Sequence, residues 1–497
     1  MKKYTLKIIS LALALLMLLL GLIACKKNDK VPDGGESQTT DDATSTDDVS
    51  ESQSEGERYD ENGYLMDDLP ETYDYKGIDF DILQWKQGEE FILSEGSISD
   101  TVNRAKYHSQ KAVEQRFNIR IKPHIEMDGW GVTGDNFLKL VEASIMGNLS
   151  TYDMVASYSA TVGRGVNQGY YMNLYGLESL DFEKPWWPKN LVKSAEIGEN
   201  LYYCAGDINA ESQIKYLEAM YVNLDMYEEH RIADIVGGRD IYTLVKDGDW
   251  TIENLQKMAL GTTGNADDIY GFSWSDGVMS DAFMYAGGFS LIKTTNGTLT
   301  LNTDLQSARM VTWLEQCQVL LSGDHVDSKE TATAFADGKA LFGGDDELTV
   351  AQQYIKDGRV NFSVIPLPKY DSDQTDYYTC MAIFSCLIAV PSDVIDPQMV
   401  GMIMEGIASS NHRNVKDIVY YDVFQSRYAS AEDAEGADMF DILYQSVTFD
   451  VGRVFCNQFG FPFRQACLDS SVGWSSVYEQ NYESWGTKIT EIYSRLG

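Results

Sequence analysis

Between residues 78 and 157 the hydrophobic period switches four times, and that switching limits the fold more than any other feature of the chain. Ile78, Phe80 and Ile82 alternate in IDFDILQW and read as a strand; Val102, Ala105, Ala112, Val113 and Phe117 recur at helical spacing; Ile119 and Ile121 alternate again. A helix from Asp135 follows, with Phe137, Leu140, Val141 and Ile145 on one face and Gly147 to stop it, and then the strand TYDMVAS. The order is βαβαβ. Such a chain builds a mainly parallel sheet with helices on both faces, and open sheets of this kind bind ligands beyond the carboxyl ends of their strands. Those ends carry Trp85, Gln87, Glu89 and Glu90 after the first strand, and Ser157, Tyr158 and Ser159 after the third.

The middle of the chain is more helical. Thr251 caps IENLQKMAL, and LQSARMVTWLEQCQVLL is a second strong helix with Leu305, Ala308, Val311, Leu314 and Val319 among its apolar positions. Trp250 and Trp313 read as core. Strands return in KALFGG and VNFSVIPLP, then in YYTCMAIFSCLIAV, an apolar run suited to a strand buried on both faces. Helices follow around Pro397 to Ser410 and Ser476 to Leu496.

Ahead of all this lie a basic start, Lys2, Lys3 and Lys7, and an apolar run from Ile8 to Ala24, the layout of a secretory signal. Leu22-Ile23-Ala24-Cys25 resembles the lipobox of bacterial lipoproteins, which implies removal of residues 1–24 and a diacylglyceryl group on Cys25. A retained membrane helix is the alternative, since the run approaches the ~20 residues such a helix needs. From Asn28 to about Glu71 the sequence is polar and acidic with almost no large apolar residue. It cannot bury enough surface to offset chain entropy and reads as a disordered, self-repelling tether, 25–72, behind the lipid.

The formal net charge is −37; without the signal's three lysines 36 basic side chains face 76 acidic ones. Nucleic acid and anionic lipid are poor partners for that field. A hydrophobic fraction of 44% with 30 Tyr and 9 Trp is that of a folded chain. Beyond Cys25 six cysteines remain, Cys204, Cys317, Cys380, Cys386, Cys456 and Cys467, too few for a staple framework; Cys317 fits a buried free thiol, and pairing stays open. The five histidines stand far apart, no C-x-x-C occurs, and neither a metal nor a cofactor is expected.

EQRFNIRI, STYDMV, LYYCAGD, KDGDWTIENL, FADGKALFGGDDE and VIPLPKYDSDQTDYYT occur in the order found in extracellular solute-binding proteins of the family 1 type, and the resemblance spans roughly Tyr73 to Gly497. It implies an α/β, two-lobed, periplasmic-binding-protein-like fold of type II with a hinge between the lobes. Lobe one is then 73–183 plus 377–428 and lobe two 184–376 plus 429–497. The implied function is capture: a small solute, a mono- or oligosaccharide, enters the cleft, the lobes close, and the closed form delivers it to the permease subunits of an ABC transporter. The protein is expected to be a monomer on the outer side of the cell membrane, lipid-anchored, without enzymatic activity.

A sugar offers flat C–H faces and a rim of hydroxyls, so its site needs aromatic platforms with carboxylates or amides at their edges. Trp85 with Glu89, Tyr158, Trp274 with Asp276, Asp281 and Tyr285, and the turn Asp345, Asp346 and Glu347 supply that mixture; Gly343 and Gly344 permit close backbone approach there. Each has a plainer reading: a core tryptophan, or a solvated acidic turn. Trp186 and Trp187 read as hinge packing ahead of ligand stacking, and Trp474 is a weaker candidate. Asp371, Asp373 and Asp376 faintly resemble a calcium loop but lack its glycine and terminal glutamate, so a plain turn is favoured. The rivals are a surface glycoside hydrolase, whose paired carboxylates would give similar composition, and a carbohydrate-binding adhesion or sensor module. No catalytic pair, G-x-S-x-G elbow or phosphate loop supports the first.

Overall fold

Asp100 accepts a hydrogen bond from the Asn103 amide at 2.7 Å and so starts the helix Thr101–Phe117; Asn118, left-handed at φ 46°, ends it. Val102, Ala105, Val113 and Phe117 form its buried face, and the chain is delivered directly into a strand. This is a computed structural model, which describes residues 58–86, 91, 100–125, 131–262, 268–274, 279–295, 298–327, 333–345, 360–382, 385–424, 434–448, 450–455 and 460–496. The signal segment, Cys25, most of the expected tether, Glu89, Asp276, Asp346, Glu347 and Cys456 lie outside the described residues.

The βαβαβ unit forms as its periodicity dictates. Strands β1 (Ile78–Gln84), β2 (Ile119–Ile125) and β3 (Met154–Tyr158) are parallel, with β1 in the middle. The second strand therefore lies on one side of β1 and the third on the other, which places a topological switch point between the ends of β1 and β3. A second sheet gathers β4 (Ala219–Asn223), β5 (Tyr270–Trp274), β8 (Val326–Asp327), β9 (Ala340–Asp345) and β10 (Phe362–Ile365) in the order β10-β4-β9-β5-β8, and β6 (Ile292–Thr295) with β7 (Thr298–Leu301) makes a separate hairpin.

The apolar run YYTCMAIFSCLIAV is not one strand. It divides into β11 (Thr379–Cys380), paired with β13 (Val447–Thr448), and β12 (Cys386–Ala389), which joins the first sheet antiparallel to β3. The run is apolar throughout because it crosses the molecule's interior from one sheet to the other. Two bridges, Leu217↔Met381 and Cys204↔Ile388, lay it against residues 204–219, so three stretches, with 446–454, run side by side between the sheets.

Packed structure also starts before Tyr73. Asp67 is buried and takes a bidentate pair from Arg116 at 2.8 and 2.6 Å, Leu69 is buried beside it, and Tyr64 bonds Asp417. Two residues, an anchoring carboxylate and a leucine, dock a segment whose composition is otherwise that of the tether. Thr251 caps Ile252–Thr262 as expected. The second strong helix read from the sequence, Ala308–Leu321, begins after Ser307, which accepts from the Met310 amide at 3.2 Å, and leaves Leu305 in a preceding 3-10 turn. Trp250 and Trp313 are core, each with its indole N–H on a carbonyl, Pro366 and Phe283.

Candidate functional site

The carboxyl ends of β1 and β3 and the start of antiparallel β12 share one edge of the first sheet: Trp85 N donates to Ala156 O at 3.0 Å and Ser159 N to Ser385 O at 3.1 Å. In the second sheet, the ends of β5 and β9 meet the start of β4, with Trp274 opposite Gly344 and Asp345 opposite Ala219. The crossing strands tie these two edges together. Ser212 accepts from the Cys386 amide at 2.9 Å on the first edge, and Glu218 N donates to Cys380 O at 2.9 Å by the second. Six Cα-to-Cα steps lead from Ser212 to Glu218, which bounds their separation at ~20 Å. The two edges are thus linked through one short stretch of chain.

Between them sits a buried ionic cluster. Arg453 donates to Glu218 Oε1 at 3.2 Å and to Cys380 Sγ at 2.7 Å, and its guanidinium lies 5.7 Å from the Tyr285 ring centroid. Tyr285 hydrogen-bonds Asp450, which also accepts from the Leu291 and Gly452 amides, each at 2.7 Å. Burial raises the Asp450 pKa in spite of those bonds. Removing either partner of the Glu218–Arg453 pair would leave a buried charge uncompensated.

The strand ends and the crossing stretch also hold polar groups of another kind. The indole nitrogens of Trp85 and Trp274, the hydroxyls of Ser157 and Ser385, and both amide atoms of Gln213 are buried with no hydrogen-bond partner among the described residues. An unmade bond of this sort costs about 1–3 kcal/mol. Four uncharged side chains at the two sheet edges and Gln213 on the crossing stretch carry that cost.

Trp85 and Tyr158 lie together, ring centroids 5.8 Å apart, at the switch point; Trp274 ends β5 and Tyr285 sits in the helix Met279–Ala286, which also carries Asp281. All four aromatics are buried. Asp345 is the last residue of β9, and the close approach at Gly343 is to the Phe335 ring, whose Cγ would stand 2.7 Å from an added Cβ. Trp186 and Trp187 pack inside, both donating to Glu405, at 3.0 and 2.9 Å. Trp474 spends its indole N–H on Leu305 O at 2.6 Å and lines a separate surface groove of 330 Å³ whose Gln306 and Tyr478 bond each other. Asp371 caps its own turn, accepting from the Asp373 and Gln374 amides, and among the described residues no group of three or more acidic, His or Cys side chains is placed to hold a metal.

Sequence reasoning missed Gln213, Glu218, Ser385, Asp450 and Arg453. For two of them a signal existed: Glu218 interrupts the apolar stretch YLEAMYV, and Arg453 is a lone cation in DVGRVF. Charge inside an apolar run needs a buried partner. Gln213 had none, because a glutamine in a short helix is unremarked until its burial is known.

No protein-family model and no curated protein matches the sequence. Solved structures do. The chain is similar to the cyclic α-maltosyl-1,6-maltose binding protein from Arthrobacter globiformis at 10% identity and TM-score 0.56, over 84% of this chain and 100% of that one. It is similar to the galacto-N-biose/lacto-N-biose I-binding protein of the ABC transporter from Bifidobacterium longum, at 12% identity and TM-score 0.51, over 86% and 99%. UgpB from Mycobacterium tuberculosis, solved with glycerophosphocholine, gives 14% identity and TM-score 0.51, over 83% and 98%. The chain has the two-lobed fold of solute-binding proteins. Among the described residues no helix is long and apolar enough to cross a membrane.

Proposed function

We propose that this protein captures a small neutral solute, a mono- or oligosaccharide, in the cleft between its lobes and delivers it to the permease of an ABC importer. The observation that carries the reading is that four unpartnered, uncharged polar side chains, Trp85, Ser157, Trp274 and Ser385, stand at the two sheet edges and a fifth, Gln213, on the stretch that links them. A hydroxyl-rich ligand offers such groups the bonds the protein withholds, and Trp85, Tyr158, Trp274 and Tyr285 supply apolar faces beside them. Glu89, Asp281, Asp345, Asp346 and Glu347 belong to the same strand-end segments and complete the proposed rim.

Binding drives closure only if ligand touches both lobes, because only differential affinity for the closed form shifts the equilibrium. Trp85 and Trp274 stand on opposite lobes and meet that requirement. We place lobe one at 73–183 plus 377–428 and lobe two at 184–376 plus 429–497. Cys25 lipidation, with the acidic segment after it as tether, would hold a monomer at the outer face of the membrane within reach of its permease.

Titration calorimetry against a panel of neutral saccharides, with mass spectrometry of each saccharide after long incubation, tests the reading. Saturable binding with the saccharide intact is expected. Cleavage would move the protein to the glycoside hydrolases, and no binding to any member would remove carbohydrate as the ligand.

A further inference from the structure

We propose that Gln213 is the specificity-determining contact at the cleft floor, its amide giving donor and acceptor to adjacent hydroxyls of the bound solute. The inference rests on the solute-capture reading above and adds a residue that the aromatic platforms do not predict.

Place is the first ground. Gln213 lies on the crossing stretch itself, one residue after Ser212, which is bonded to the first residue of β12, and five before Glu218, which is bonded to Cys380. A group there faces a ligand from the hinge, where it can read the solute before and after closure alike.

Economy is the second. The short helix Ala210–Lys215 is otherwise fully paired: Glu211 is bonded by both Lys106 and Lys215, Ser212 by the Cys386 amide, and the preceding Asn209 donates to Cys386 O at 2.7 Å and accepts from Gly206 N. A segment this well satisfied does not leave a side chain unpaired through loose packing. Yet Gln213 is 0% exposed, and its nitrogen and oxygen both lack a partner. Buried polar groups left so in a folded protein call for a specific reason.

Chemistry is the third. A neutral amide presents two donors and an acceptor in one plane, which suits two neighbouring hydroxyls and suits an anion poorly. The other unpartnered groups at the two sheet edges, on Trp85, Ser157, Trp274 and Ser385, are indole N–H donors and hydroxyls, and Arg453 is paired with Glu218. Such uncharged groups suit a ligand without charge.

The test uses the full mature chain and the variants Gln213→Met, which keeps length and loses polarity, and Gln213→Ala. Melting temperature is read without ligand, and affinity is read against a neutral glycan array, lacto-N-biose and glycerophosphocholine. Gln213→Met is expected to melt at or above the parent, since it removes an unpaired buried amide, and to lose at least tenfold in affinity for the saccharide the parent binds. A variant that melts several degrees lower and binds like the parent has lost an internal structural partner, and the inference is overturned while the capture reading stands. Parent binding of glycerophosphocholine in preference to every neutral glycan overturns the assignment of an uncharged ligand. A parent that binds nothing in the panel overturns the reading beneath, and the role of Gln213 with it.

Discussion

Glu405 is held by two indoles, Trp186 and Trp187, in a setting that makes its ionisation visible in stability. Burial pushes its pKa up to about 8, although hydrogen bonds from Trp187, the Asp181 amide and Trp186 pull the other way. An unfolded glutamate titrates near ~4.3, so between that pH and about 8 the native state keeps a proton the unfolded state has released. The stabilisation is complete below the unfolded pKa and is lost as pH rises through about 8, at up to about 1.4 kcal/mol per pH unit. Thermal melts from pH 5 to 8 should show that decline, and Glu405→Gln should flatten it; equal slopes in both proteins would mean another group is responsible. Trp85 and Trp274 pose the complementary question, being both buried and proposed to face ligand. Cutting a core tryptophan to alanine costs about 3–5 kcal/mol, so both variants should melt early; if binding is their second role, calorimetry on the folded fraction should also show weaker affinity, and unchanged affinity would return them to the core alone.

At the scale of elements, the crossing stretch 204–219 depends on close backbone approach. A Cβ added at Gly206 would stand 2.4 Å from Trp186 O and 3.0 Å from Trp187 Cε3, neither of which can move without displacing the pair that holds Glu405. Gly206→Ala should therefore lower stability by about 1–3 kcal/mol, measured by denaturant melts; a neutral result would show that the tryptophan pair is free to shift. The sequence made the βαβαβ unit legible because strand and helix periods differ. It misled in YYTCMAIFSCLIAV, where apolar composition reports burial but not which sheet a residue joins. It also misplaced the start of packed structure, since Asp67 among many acidic residues has nothing to distinguish it until Arg116 is brought beside it. Burial would raise the Asp67 pKa, yet the Arg116 hydrogen bonds, with help from Ser409, hold it below the usual range. The contribution is present above the ordinary aspartate pKa and lost as pH falls through the lowered one. The strand-end positions of Trp85, Tyr158 and Trp274 were legible in the sequence, whereas the burial of Gln213, Ser385 and Arg453 was not.

For the whole molecule, capture requires a change of shape. Small-angle scattering with a saturating saccharide should show compaction of the folded part, and an unchanged radius of gyration would remove the hinge mechanism. If Cys25 carries lipid, Cys25→Ser should release the protein from membranes or alter its processing; unchanged fractionation and unchanged mobility in detergent would exclude the anchor. The antiparallel fourth strand of the first sheet, Cys386–Ala389, has a consequence for biosynthesis. The first three strands of that sheet are made by residue 158, yet the sheet is complete only when a segment more than two hundred residues later arrives. Non-local pairing of this kind is slow to form. If the chain is exported, that delay would keep its leading half threadable through a translocation channel until most of the polypeptide had been synthesised, and the last strand would time folding to the far side of the membrane.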